Sequence, residues 1–349
     1  MPTGSLSWLA TRLVEPDSLI AVLAVLRALE HDAGAARRAG RLPVDFEATG
    51  PRVSFLAAAE VWRHVVHVTR DPAIGIRTAE QYLRHDRSLI GYLLRTSPTL
   101  AQGLGNKARF ALVEDELCRC DWKESDEVGT FRFRGSAEFY LPAVAEFVAA
   151  RLVGAVRSVS ASAVDPVVVR FSHDEPSATA AHRKFFRCPV EFRAPSIEVV
   201  YRIHELRRPS RSSDPALHKL LLELAEQKLA TATRPRGAAE RVRELITQLV
   251  ESGGSVPTRA EVARTLRVTP RTLSRWLEAD GKTYSDVVDE FRAFQAARSL
   301  QRERSLRDTA ELLGFRDQSS FTRAFRRWTG MTPGQYRRLH AERDSLRAR

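Results

Sequence analysis

Two groups of polar residues carry the chemistry most readily read from this chain: Arg271, Ser274 and Arg275, then Gln318, Ser319 and Arg323. Arginine can donate two parallel hydrogen bonds to O6 and N7 of guanine, and glutamine can pair with N6 and N7 of adenine. Such side chains on a helix set into the major groove read base sequence. Ser274 and Ser319 are short, so their reach is smaller. Thr269, Lys282, Arg316, Arg326 and Arg327 flank the same segments and suit phosphate oxygens, which fix register without carrying sequence information. An exposed arginine outside such a motif is ordinarily just solvated. The case therefore rests on the elements that would hold these groups.

Those elements occur twice. Glu261 to Leu266 followed by Thr272 to Leu277, and Asp308 to Phe315 followed by Ser320 to Phe325, each read as a helix-turn-helix. Ala263 and Ala310 are the small residues that let the first helix of each unit approach the second. Leu273 and Phe321 root the second helices, which leaves the polar triads outward. Start signals fall where the motif needs them. Thr258 with Glu261 has capping-box spacing, Thr269-Pro270 offers an N-cap with proline at the first helical position, and Ser305 with Asp308 is an acidic variant of the box. Gly314 at the second turn can be left-handed without steric cost. Arg267 holds the matching place in the first, where a left-handed conformation costs about 1 kcal/mol.

Between the units, Val287, Val288, Phe291, Phe294, Ala297 and Leu300 recur at helical spacing within Tyr284 to Gln301. Such a helix is a rod of roughly 27 Å, comparable with the ~34 Å between successive major grooves on one face of the duplex. A stiff rod with an imperfect match predicts bent DNA. Trp276, Phe325 and Trp328 are expected in the core rather than as stacking platforms. Gly330 to Pro333 reads as a helix stop followed by a new N-cap.

Gly314-Phe315, the run Ser320 to Trp328 and Gly330 to Arg337 closely resemble the signature of the AraC/XylS family of bacterial transcription regulators, over roughly residues 237–340. The resemblance implies two helix-turn-helix subdomains joined by a linker helix, binding promoter DNA, usually activating transcription, with RNA polymerase as a partner. By position, the family's base-reading places fall on Arg271, Ser274, Arg275, Gln318, Ser319 and Arg323. Upstream, Leu89 to Leu100, Phe185 to Phe192 and Ser213 to Leu217 resemble an N-terminal domain family labelled arabinose-binding, over roughly residues 15–228. That label implies effector binding or dimerisation, with a small-molecule effector that need not be arabinose.

Composition agrees with this reading. The chain carries 55 Lys and Arg against 43 Asp and Glu, and from Arg234 onward the count is 24 against 15, so +9 of the net +12 lies in the last third. That excess favours a polyanionic partner and salt-sensitive binding. With neither a long uninterrupted apolar run nor secretory-signal segments, the expectation is a cytoplasmic protein without membrane partners. Cys118, Cys120 and Cys188 fit a reducing compartment. Cys118-x-Cys120 falls on an expected strand and is read with its thiols on opposite faces, against a metal or redox pair. His64 and His67 share a helix face without an acidic or cysteine partner at ligand spacing, so neither a metal nor another cofactor is assigned.

The first ~206 residues mix both periodicities. Helices are expected over Ser18 to Ala33, Ala57 to Thr69, Ser88 to Leu94, Thr99 to Val113 and Leu141 to Val159. Strands are expected at Phe131 to Arg134, Val167 to Phe171, Val190 to Phe192 and Ile197 to Tyr201. The expected architecture is thus an α+β sensor domain over 1–206, a linker with one helix over 207–236, and an all-α double helix-turn-helix domain over 237–349. Within the linker, Ala216 to Ala230 places Leu217, Leu220, Leu221, Leu224 and Leu229 near one stripe, for docking on the first domain or on a partner chain. Tyr82, Tyr92, Phe110, Phe147 and Phe171 could line a cavity, but aromatics at these spacings are more often core, and effector residues are left unassigned. An enzyme with an appended DNA-binding domain, such as a repair alkyltransferase, is disfavoured by the lack of a four-cysteine cluster, a nucleophile motif or a phosphate-cradling glycine loop. A non-specific architectural protein would not need paired recognition helices.

Overall fold

The computed structural model describes residues 12–86, 88–116, 118–135, 141–160, 164–232, 237–251, 255–301 and 305–337. They fall into two compact units, one drawn from residues 10–233 and the other from 234–349.

The first unit is α+β. Alternating apolar residues build a five-stranded sheet in the order Cys118–Glu124, Val128–Gly135, Ile197–Arg202, Val168–Arg170, Val190–Glu191. All pairs are antiparallel except the last, which is parallel. The register sets Cys120 opposite Phe133 and Phe131 opposite Val199, and these residues join one core with the long helix Pro142–Val159. That helix is apolar nearly all round and correspondingly buried. It packs closely on Ile74–Arg84, where a Cβ on Gly75 would overlap the carbonyl oxygen of Ala143. No sequence signal had been drawn from Ile74–Arg84.

Expected helices and strands recur with shifted ends. The segment Thr99 to Val113 is broken at Phe110 into Leu100–Arg109 and Ala111–Glu114. The reading of Cys118 and Cys120 is corrected: strand side chains alternate with a period of two, so residues two apart share a face. Their Sγ atoms lie 3.6 Å apart as free thiols. His64 is half-buried and His67 exposed on the helix Phe55–Thr69.

The helix Pro215–Ala232 belongs to the first unit. Leu221, Leu222, Ala225 and Leu229 pack against Ile90, Leu93, Phe110 and Val113. Thr96 Oγ1 lies 3.0 Å from His218 Nδ1, and the Ser212 hydroxyl donates to the Arg95 carbonyl at 2.6 Å. Much of the segment expected as a linker is therefore docked. The expected stripe is split, since Leu217, Leu220 and Leu224 are exposed. Residues 233–236, at the end of the expected linker, lie outside the described residues. Among the described residues, no helix is long and apolar enough to cross a membrane.

The second unit is helical. Ala238–Glu251 precedes the first helix-turn-helix, Arg259–Thr265 with Pro270–Ala279. The rod Tyr284–Gln301 follows, then the second motif, Leu306–Leu312 with Gln318–Thr329. Two separate cores form. Val262, Ala263, Leu273 and Leu277 pack with Val287, Val288 and Phe291 of the rod, whereas Ala310, Leu313, Phe321, Phe325 and Trp328 pack with its Ala293, Ala296 and Leu300. At 3.6 residues per turn, these two sets of rod residues point about 170° apart. The rod thus offers opposite sides to the two motifs, and Phe294, expected in its apolar stripe, is only half-buried.

Candidate nucleic-acid interface

Local chemistry fixes where each second helix begins. The Thr269 hydroxyl accepts the backbone N–H of Thr272, with Pro270 at the first helical position. Asp317 does the same for Ser320, accepting its N–H at 2.7 Å. That bond and the one from the Ser320 hydroxyl hold the Asp317 carboxyl below the usual carboxylate range. Asp317 was missed in the sequence, although an Asp three residues before a Ser at the head of an amphipathic run is an N-cap signal. Preceding helices are capped too. Thr258 and Glu261 form the reciprocal box, and Ser305 accepts from the N–H of Asp308.

The turns differ as their residues require. Gly314 has φ 73° and Arg267 φ 56°, both left-handed, so the first motif carries the backbone strain that glycine removes from the second. Gly330 is also left-handed at the end of Gln318–Thr329, and Thr332 then caps a short turn with Gln335.

The anchors Leu273 and Phe321 are fully buried. On the far side of the first recognition helix, Arg271 and Arg275 are exposed one turn apart, while Ser274 is half-buried and its hydroxyl accepts from Arg259 Nη1 at 3.1 Å. On the second, Gln318, Ser319 and Arg323 are exposed, with Ser319 and Arg323 one turn apart and Gln318 at the first helical position. Arg323 Nη2 donates to the Ser320 hydroxyl at 3.2 Å, and that hydroxyl donates to Asp317. The cap therefore also braces the guanidinium. Trp276 is half-buried, and Phe325 and Trp328 are buried, so their faces serve packing.

The flanking cations divide into two kinds. Thr269, Arg316 and Arg326 are exposed. Arg327, also exposed, donates to Asp289 of the rod at 2.7 Å. Lys282 instead bonds the buried carboxylate of Glu290, which Arg243 also meets at 2.6 Å. Its ammonium thus neutralises a buried charge, a role that its sequence position did not announce. This triad ties Ala238–Glu251 to the rod, and nothing in the spacing of its three members announced it. Arg292 of the rod lies over the ring of Phe315, 5.3 Å from its centre, and burial lowers the pKa of its guanidinium.

Comparison with known proteins agrees with this architecture. Residues 31–210 match the arabinose-binding N-terminal domain of AraC transcription regulators, and residues 262–339 match a helix-turn-helix domain. The chain is 28% identical over 324 residues to an ornithine utilization regulator of Pseudomonas aeruginosa, covering 91% of this chain and 93% of that one. It is 34% identical over 173 residues to the HTH-type transcriptional regulator VirS of Mycobacterium tuberculosis, covering 49% of each. Among solved structures, the transcriptional regulator CdpR of Pseudomonas aeruginosa aligns at 23% identity and a TM-score of 0.41, covering 87% of this chain and 96% of that one. With one family model spanning more than half its length and a second lying over the paired motifs, the chain belongs to the AraC family of DNA-binding transcription regulators.

Proposed function

We propose that this regulator activates transcription from a promoter by reading two successive major grooves, under control of a small-molecule effector held in the first unit. The single observation that carries the reading is the rod: one helix anchors two capped recognition helices on its opposite sides, each with guanidinium groups facing outward. Arg271 and Arg275 read one groove, and Gln318 and Arg323 the other. Ser274 and Ser319 play smaller parts in base reading. Thr269, Arg316, Arg326 and Arg327 take phosphates. RNA polymerase is the partner an activator requires, and the site of action is the cytoplasm, where promoter DNA lies. The relative named for ornithine utilization aligns along nearly the whole chain, which supports a metabolite as the signal.

The test is selection of binding sites from random DNA with the full chain, followed by footprinting. Two protected patches one helical turn, about 10 bp, apart are expected. The selected site should exceed random DNA in affinity by at least ~10³ at physiological salt. A single patch, or no sequence selection, would overturn the two-groove reading.

A further inference from the structure

Cys118 and Cys120 stand on one face of the strand Cys118–Glu124, their Sγ atoms 3.6 Å apart as free thiols. No step of DNA binding uses them. Both line a cavity of about 100 Å³ in the first unit, beside Phe131 and Phe133 of the paired strand. A water needs roughly 10 to 15 Å³ of such space, so a molecule the size of hydrogen peroxide has room to enter. Among the described residues, no third side chain joins the two sulfurs into a group that could hold a metal ion. Their shared chemistry is that of a dithiol.

The two sulfurs differ in setting. Cys118 is buried, and its hydrogen bond to Cys120, with burial next, holds its thiol well above the ordinary range. The nearby Asp115 acts in the same direction and Arg151 against it. Cys118 thus keeps its proton and donates it in the bond to Cys120. Cys120 is half-buried on the cavity wall, and the Lys107 ammonium lies near enough to feel its charge. An S–H donor on one side and a cation on the other are partners that stabilise a thiolate, the nucleophilic form of cysteine. Glu114 faces the same ammonium at 3.5 Å, so Lys107 serves a carboxylate as well as the sulfur. Cys188 is not part of this wall, and burial pushes its thiol up to about 11.

The strand's place in the sheet leaves room for a bridge. Cys118–Glu124 lies at the sheet edge and, among the described residues, pairs on one side only, with Val128–Gly135. Residues two apart on a strand have Cα atoms about 6.6 Å apart. Disulfides usually span about 4.4 to 6.8 Å between Cα atoms, so this pair is within reach. Closure brings the Sγ atoms to about 2.05 Å and shortens the strand locally. An edge strand can pucker in this way without disturbing a second neighbour.

We propose that Cys118 and Cys120 are a site of reversible oxidation by hydrogen peroxide, closing to a disulfide in the cavity wall. The Cys120 thiolate attacks one peroxide oxygen, the O–O bond breaks, and the departing oxygen takes up a proton and leaves as water. The Cys118 sulfur then attacks the sulfenic acid on Cys120, forming the S–S bond as the hydroxyl leaves with the Cys118 proton as a second water. The two thiols give up two electrons and two protons, and the peroxide takes both. This site is independent of the reading of the first unit as effector-controlled.

The test adds one equivalent of hydrogen peroxide to the reduced full chain, caps free thiols with N-ethylmaleimide under denaturing conditions, and reads masses intact and after proteolysis. The chain should lose two hydrogens, keep one free thiol of its three, at Cys188, and yield a Cys118–Cys120 bridge that dithiothreitol reopens. Cys188→Ser should behave the same way. Cys120→Ser should lose the bridge and leave Cys118 reduced, whereas Cys118→Ser should hold Cys120 as a sulfenic acid that dimedone traps. Because Cys118 is buried, Cys120→Ser at the half-buried position keeps the test decisive if Cys118→Ser does not fold. The proposal is overturned by three thiols left unreacted, a bridge to Cys188 or between chains, oxidation of Cys188 before the pair, sulfinic acid in place of the bridge, or Cys118 oxidised in Cys120→Ser.

Discussion

Replacing Arg323 by alanine separates base reading from general attraction to DNA. The guanidinium is exposed, and within the protein it donates to the Ser320 hydroxyl at 3.2 Å. The fold should therefore lose no more than about 0.5 kcal/mol, as for an ordinary surface substitution. If Arg323 addresses a base through two hydrogen bonds, the variant should lose about 1 to 3 kcal/mol on the selected site, roughly 5-fold to 150-fold in affinity, and tolerate substitution at one base position. Affinity for random DNA should fall much less. Fluorescence anisotropy on both duplexes across a salt series measures all three quantities. Arg326→Ala is the control: a phosphate contact should weaken every sequence alike and reduce the salt slope by about 1. If Arg323→Ala behaves like that control, the assignment of Arg323 to base reading is refuted.

Four further outcomes follow from packing and charge. Glu290→Ala leaves Arg243 and Lys282 with no carboxylate between them; chemical denaturation should show a loss of about 3 to 5 kcal/mol, as when one member of a buried ion pair is removed. Thr258→Ala removes the side chain that caps Glu261, and the same measurement should show about 1 kcal/mol. Gly314→Ala should cost about 1 kcal/mol because φ is 73°, whereas Arg267→Ala, which keeps the same left-handed backbone, should be nearly neutral. Burial raises the pKa of Glu114, but Arg151 and Lys107 outweigh it and hold the carboxyl at about 2 against an ordinary 4.5. Its contribution to stability is therefore present above pH 4.5 and lost as pH falls towards 2, so acid titration of stability should be shallower across that window in Glu114→Gln.

The second unit was legible because its signals are local. Thr258, Thr269 and Ser305 cap over three residues, and the rod's ends, Tyr284 and Gln301, match the apolar pattern. Even the unusual backbone of Arg267 followed from its alignment with Gly314. What the sequence hid depends on partners far apart along the chain. The pairing of Lys282 and Arg243 with Glu290 joins residues eight and 47 positions apart. Ile74–Arg84 is a helix of mixed polarity whose burial is set by Pro142–Val159. Of the five aromatic residues considered for a cavity, only Tyr82 and Phe147 line it; Phe110 and Phe171 are core, and Tyr92 is exposed. Its charged members are scattered from Glu15 to Arg151, so no motif could have grouped them.

The rod also restricts how this protein can diverge. Inserting one residue between Phe291 and Ala293 would swing the downstream motif through about 100° and advance it by roughly 1.5 Å. On a duplex of about 10.5 bp per turn, that rotation equals nearly 3 bp. If the two motifs read two halves of one operator, its letters can change through the outward side chains, while the interval between the halves stays locked to a helix that admits length changes only in near-whole turns.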